Sequence, residues 1–201
     1  MTDLKTGDLI LFCGKDTGWL KYFSEMIKYT SHSNYSHVGM ILKDPTFIHP
    51  TLKGTYVWES GWEGEPDPQD GKIKLGVQIT PLDEILKSYQ GSMAITRTVH
   101  CHPNLFNEKI LKEIHQTVYD KPYDILPVDW VKALFRKEIK PTTERFWCSA
   151  LIGYIYTKCG ILQSDTDWSI LRPSDFSLDG ESKYLKLSEG CSLSKTETRI
   201  A

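Results

Sequence analysis

The strand-forming segments of this chain crowd into its first half, and a strongly apolar helical segment follows them late. Gly7 to Cys13 (GDLILFC) reads as a buried strand opening after a Gly-Asp turn. His37 to Leu42 reads as a second strand, stopped by Asp44-Pro45, and Thr55 to Ser60 (TYVWES) as a third. Two more are expected at Gly76–Thr80 and Met93–Val99, separated by a short helix begun by Pro81, a residue suited to a first helical position. Trp19, Tyr22, Phe23, Met26 and Ile27 fall at helical spacing. Asn107 to Asp120 is amphipathic, with Ile110, Leu111, Ile114 and Val118 on one face, and Val128–Lys137 is a further helical stretch. Cys148 to Lys158 (CSALIGYIYTK) is helical in pattern and ends at Gly160, a good C-cap residue. With no internal repeat or linker, this order predicts one α+β domain over residues 1–176. Residues 177–201, rich in Ser, Lys and Glu, are expected to be a weakly ordered polar tail.

Composition excludes several classes of function. A chain of 201 residues can bury a core without disulfide or metal staples. The formal net charge of −2, with acids and bases interspersed, argues against an electrostatic nucleic-acid binder. No apolar run approaches the roughly 18 residues of a membrane span, so stable membrane insertion is not expected. The N-terminal apolar run is short and acidic in its flank, unlike a signal peptide. The five cysteines are odd in number and contain no CxxC pair, which points to reduced thiols in a cytosol-like compartment, a host cytosol included. No cofactor or metal is indicated. His100-Cys101-His102 is a loop cluster whose adjacent donors lack further spaced partners. No feature bears on oligomeric state.

One cysteine differs from the rest by position. Cys148 follows the turn-forming segment 140–145 and begins the apolar helix. A thiol at a helix N-terminus meets unpaired backbone N–H groups and the positive end of the helix dipole, both of which favour thiolate. A helix end supplies about 0.3–1 kcal/mol at exposed sites. Making thiolate the majority form at neutral pH takes about two pKa units, at roughly 1.4 kcal/mol each. A second contributor is therefore needed, normally an imidazolium. Without it, Cys148 is a packed small hydrophobe. His37 opens an apolar strand after a polar turn, where its ring can project from the sheet rim toward a docked helix. His32 and His49 lie in turns with no rigid element to aim them. Glu59, at the end of the third strand between Trp58 and Trp62, is either the carboxylate that orients an imidazole or a strand-end acid facing water.

These residues form an ordered set: GDLILF near the start, Ser36-His37-Val38-Gly39, Trp58-Glu59-Ser60, Lys121 to Asp124 (KPYD), and Phe146 to Ile152 (FWCSALI), followed by Arg172 to Phe176 (RPSDF). The set resembles the circularly permuted papain-like hydrolases of the YiiX type and their poxvirus relatives. More distantly it is similar to the lecithin–retinol acyltransferases, and the group is cousin to the NlpC-type peptidases. The resemblance implies an antiparallel sheet or half-barrel packed against helices, with the nucleophile at a helix N-terminus. It implies Cys148 as nucleophile, His37 as base and then acid, and Glu59 as the orienting group. Tyr123, Ser149 and Trp58 are then candidates for oxyanion or substrate contacts. Family members often carry Cys-Ser-Glu-Leu where this chain has Cys148-Ser149-Ala150-Leu151, a departure outside the triad. The expected activity is hydrolysis of a peptide-like or isopeptide-like amide through a thioester. A lipid-directed esterase or acyltransferase, and a non-catalytic binding module, are the alternatives. The acidic loop Glu63–Asp70 is either a cleft border favouring cationic groups or a solvated loop.

Overall fold

The computed structural model describes residues 4–13, 35–88, 93–124, 142–178, 180 and 184–200. The helices expected around Trp19–Ile27 and Val128–Lys137, and His32, lie outside the described residues. The strands are β1 (Leu9–Cys13), β2 (His37–Lys43), β3 (Thr55–Gly61), β4 (Gly76–Pro81), β5 (Met93–Arg97), β6 (Val99–His100), β7 (Ser192–Leu193) and β8 (Thr198–Arg199). The helices are α1 (Leu82–Ser88), α2 (Glu108–Val118) and α3 (Cys148–Lys158). A six-stranded sheet runs β4-β3-β2-β1-β5-β8, antiparallel at every pairing, and β6 pairs with β7 in a second, two-stranded sheet. The α+β class expected from the sequence is the class observed.

The period-2 alternation of strand side chains sorts the large sheet into two faces. Leu9, Leu11, Val38, Met40, Leu42, Trp58, Val77 and Ile79 enter the main core, with Leu111, Ile114 and Val118 of α2 and most of α3. Ile10, Phe12, Ile41, Val57 and Ala94 enter a smaller core, closed by Leu82 and Ile85 of α1. Every residue from Cys148 to Tyr156 is buried, so α3 is a core helix and not a surface one. Helix α2 is the amphipathic element the sequence predicts, with Asn107 as N-cap: its Oδ1 accepts from the Ile110 N–H at 3.0 Å. The Gly-Asp turn ahead of β1 is also a tether. Asp8 is buried, and its Oδ1 accepts from the Val99 N–H at 3.2 Å, which fixes β6 against the start of the chain.

The polar C-terminal segment is packed, contrary to the expectation of a weakly ordered tail. Leu185 is buried, Leu187 bridges to Leu162, and β8 covers the β5 edge. Glu197 accepts hydrogen bonds from the Tyr35 hydroxyl at 2.8 Å and the Leu178 N–H at 2.7 Å. Arg97 collects the carbonyls of Phe176, Ser177 and Ser194 at 2.7–2.9 Å. Backbone pairing and a few polar anchors hold this segment, which explains why a hydrophobicity pattern does not reveal it.

The other sheet edge is sealed by the segment leading toward α3. Val77 N–H donates to the Lys121 carbonyl at 2.8 Å and Tyr123 N–H to the Leu75 carbonyl at 3.1 Å. Gly76 makes this approach feasible, because a Cβ there would lie 2.3 Å from the Lys121 carbonyl oxygen. Gly76→Ala should destabilise the protein by about 1–3 kcal/mol, an overpacking cost. Gly71→Ala, at a positive φ of 72° with open space around it, should cost only about 1 kcal/mol. Urea midpoints for the two variants check the ordering.

Candidate active site

The register of β2 on β3 pairs Met40 with Trp58 and Ile41 with Val57. Carried back along both strands, it sets His37 opposite Gly61 and diagonal to Glu59, a spacing that long side chains span. His37 Nε2 lies 2.6 Å from Glu59 Oε2, and Glu59 is wholly buried. The second carboxylate oxygen, Oε1, accepts from the Thr80 hydroxyl at 3.1 Å. Gly61 leaves room beside the ring: a Cβ at that position would crowd His37 Cε1 at 3.2 Å. Phe12, at a centroid distance of 5.5 Å, backs the imidazole.

Cys148 completes the chain of contacts. It is the first residue of α3, after Trp147, whose extended backbone serves as an N-cap that adds no side-chain hydrogen bond. The helix start therefore keeps its N–H groups beside the sulfur. The Cys148 thiol lies beside the His37 imidazole, near enough to raise its affinity for a proton. Burial opposes the imidazolium, but the charge and hydrogen bond of Cys148, followed by those of Glu59, outweigh it and hold His37 well above its ordinary pKa. The structure thus pairs His37 with Glu59 directly and places Cys148 near the ring.

The remaining candidates are placed elsewhere. Trp58 is buried in the main core, its ring 6.1 Å from that of His115, on the opposite sheet face from Glu59. The alternation that points Glu59 toward His37 points Trp58 into the main core, the cluster that also holds Cys148. Ser149 is also buried, and its hydroxyl donates to the Leu171 carbonyl at 2.7 Å. That bond pins α3 to the chain after it, so Ser149 is a packing residue. Tyr123 acts through its backbone, bridging to Phe146 two residues ahead of Cys148. His49 is exposed and contacts Thr51. His102 caps the Asn104 N–H, and among the described residues His100, Cys101 and His102 belong to no three-donor cluster.

Two features were missed by sequence reasoning. Gln78, opposite Glu59 on β4, is buried, and its Nε2 has no hydrogen-bond partner among the described residues. A groove of about 410 Å³ is lined by Glu63, Glu65, Thr80, Glu84, Ile85 and Lys87. It meets the His37–Glu59 pair through Thr80, which is bonded to Glu59. The acidic loop is therefore divided: Glu63 and Glu65 face the groove, whereas Asp67 and Asp70 ion-pair with Lys74 at 3.0 and 2.9 Å. His37, Glu59 and Glu63 also form a cluster whose donor atoms all lie within 4.8 Å of one another.

No protein-family model matches the chain, and no curated protein matches it. Among solved structures the chain is similar to the metalloprotein yiiX from Escherichia coli O157:H7, with a TM-score of 0.52 and 16% sequence identity. The match covers 94% of this chain and 96% of that one. The YiiX-like fold implied by the sequence motifs is thereby supported across nearly the whole chain, as a likeness of fold.

The array can be tested by titration. The His37 ring resonances should titrate above the ordinary histidine value of about 6.5. Cys148→Ala, which removes the largest favourable contribution, should lower the midpoint, and Thr80→Val, acting only through Glu59, should lower it less. NMR titration of the three proteins checks the order.

Proposed function

We propose that the protein is a cysteine hydrolase on a permuted papain-like frame, cleaving an amide bond through a thioester. The carrying observation is the 2.6 Å His37–Glu59 contact, with Cys148 near the ring at the start of a buried helix. The Cys148 thiolate attacks the acyl carbon, and the C–N bond breaks as His37 gives its proton to the departing amine. Water, deprotonated by His37, then cleaves the thioester and releases the acid. The Cys148 backbone N–H is aimed to stabilise the oxyanion. Glu59 keeps the ring oriented and stabilises its cationic form.

The groove beside the triad favours an amide substrate over a lipid acyl chain. Among the described residues its lining holds three carboxylates and a lysine, with Ile85 as the one apolar side chain. Such a wall suits a cationic or polar group. Among the described residues, no helix is long and apolar enough to cross a membrane.

A second reading rests on the His37–Glu59–Glu63 cluster, and yiiX is described as a metalloprotein. Each residue offers one donor of the type zinc takes. Two ligands on one tetrahedral ion stand roughly 3.3 Å apart, given bonds of about 2.0–2.2 Å. The 2.6 Å separation of His37 and Glu59 is shorter, so an ion would have to part the pair and displace its proton. This makes the proton-bridged, cysteine-based reading the stronger one.

At pH 6 a low dose of iodoacetamide should label Cys148 ahead of the other four thiols, and Cys148→Ala should abolish turnover of acyl-amide probes. Glu59→Gln should lower kcat by about 10- to 100-fold and move the alkaline limb of the rate profile to lower pH, since loss of the carboxylate weakens His37's hold on its proton. Uniform slow labelling of all thiols would count against the hydrolase. Stoichiometric zinc in the purified protein, lost in Glu63→Gln, would establish the second reading in its place.

A further inference from the structure

Cys101 and Cys191 are far apart in the chain, yet the small sheet brings them together. β6 and β7 pair with Val99 opposite Leu193 and His100 opposite Ser192. In the same register Thr98 faces Ser194, whose N–H donates to the Thr98 carbonyl at 2.8 Å. That makes 98/194 a hydrogen-bonded pair, and antiparallel pairs alternate between bonded and non-bonded. Val99/Leu193 is then non-bonded, His100/Ser192 bonded, and the next pair, Cys101/Cys191, non-bonded.

Two further contacts agree with this phase. The Val99 N–H turns away from β7 to Asp8 Oδ1 at 3.2 Å, and the Cys191 N–H turns away from β6 to the Ser188 carbonyl at 3.0 Å. In a non-bonded pair the Cα atoms lie about 4.5 Å apart and the side chains share a face. A disulfide bridges Cα separations of roughly 4.4–6.8 Å. Both cysteines are reduced and half-buried, within reach of a small oxidant. Burial pushes the Cys101 thiol up, and the charge of Cys191 adds to it.

We propose that Cys101 and Cys191 are a modification site: a cross-strand disulfide forms between them when the protein meets a disulfide of the glutathione class. One cysteine thiolate attacks the small disulfide, forming a mixed disulfide and releasing one glutathione thiol. The second cysteine attacks the mixed disulfide and releases the other. Two electrons pass from the cysteine sulfurs to glutathione, and the two thiol protons end on the released thiols. The third thiol nearby, Cys159, competes poorly, because it is buried and pushed up to about 12 by that burial and then by the charge of Cys101.

The bond would fasten the C-terminal segment, which carries β7, β8 and Glu197, to the strand that Asp8 anchors. Glu197 holds Tyr35, two residues before His37. The inference is independent of the hydrolase reading, and the full-length Cys148→Ala protein keeps the two apart in the test.

That protein is incubated natively with oxidised glutathione, then weighed intact and mapped by proteolysis without reduction. The expected product has lost two hydrogens, carries no glutathione, yields one cross-linked peptide pair joining Cys101 to Cys191, and melts several degrees higher. Cys101→Ser and Cys191→Ser should each leave the surviving cysteine as a glutathione adduct. A natively folded protein, by circular dichroism, in which both cysteines stay thiols or separate adducts, or in which Cys101 links to Cys159, would overturn the proposal.

Discussion

The register of β2 against β3 is the constraint on which the rest of the site depends. A slip of one residue would turn His37 and Glu59 to opposite faces of the sheet, because side chains alternate strictly along a strand. What prevents the slip is the partition of the two cores. Met40 and Trp58 belong to one, Ile41 and Val57 to the other, and no shifted pairing keeps all four buried with their own neighbours. Apolar packing remote from the chemistry thus fixes a polar contact of 2.6 Å.

That contact also shows how burial and charge are balanced. An imidazolium in a dry site is disfavoured by several kcal/mol unless partners compensate. Here a carboxylate and a sulfur approach the ring, and the carboxylate is held in turn by Thr80. The Thr80 hydroxyl has a second consequence, since Thr80 lines the groove and joins its electrostatics to those of the His37–Glu59 pair.

Much of this was legible in the sequence, and the limits were physical ones. Strands with strong period-2 or apolar patterns, the α2 stripe and the α3 run announce themselves through local composition. The meeting of His37 and Glu59 was legible because both lie on strongly patterned strands near their paired ends. The burial of Trp58 and Ser149 was not, because adjacency to a candidate residue says nothing about which way a side chain points. The C-terminal segment was misjudged for a different reason. Its pairings, Leu187 with Leu162 and Thr198 with Thr96, join distant residues through backbone hydrogen bonds, which leave no pattern in side-chain type. The facing of Cys101 and Cys191 was hidden for the same reason.

The position of β8 has a consequence for how the molecule comes into being on the ribosome. β5 is synthesised about a hundred residues before the strand that covers its edge, and Tyr35 earlier still relative to Glu197. During elongation that edge stands open, as does the support beneath the segment leading into His37. The frame around His37 is therefore fully braced only after β8 has emerged. The order of synthesis sets a lower bound on when this part of the sheet can close.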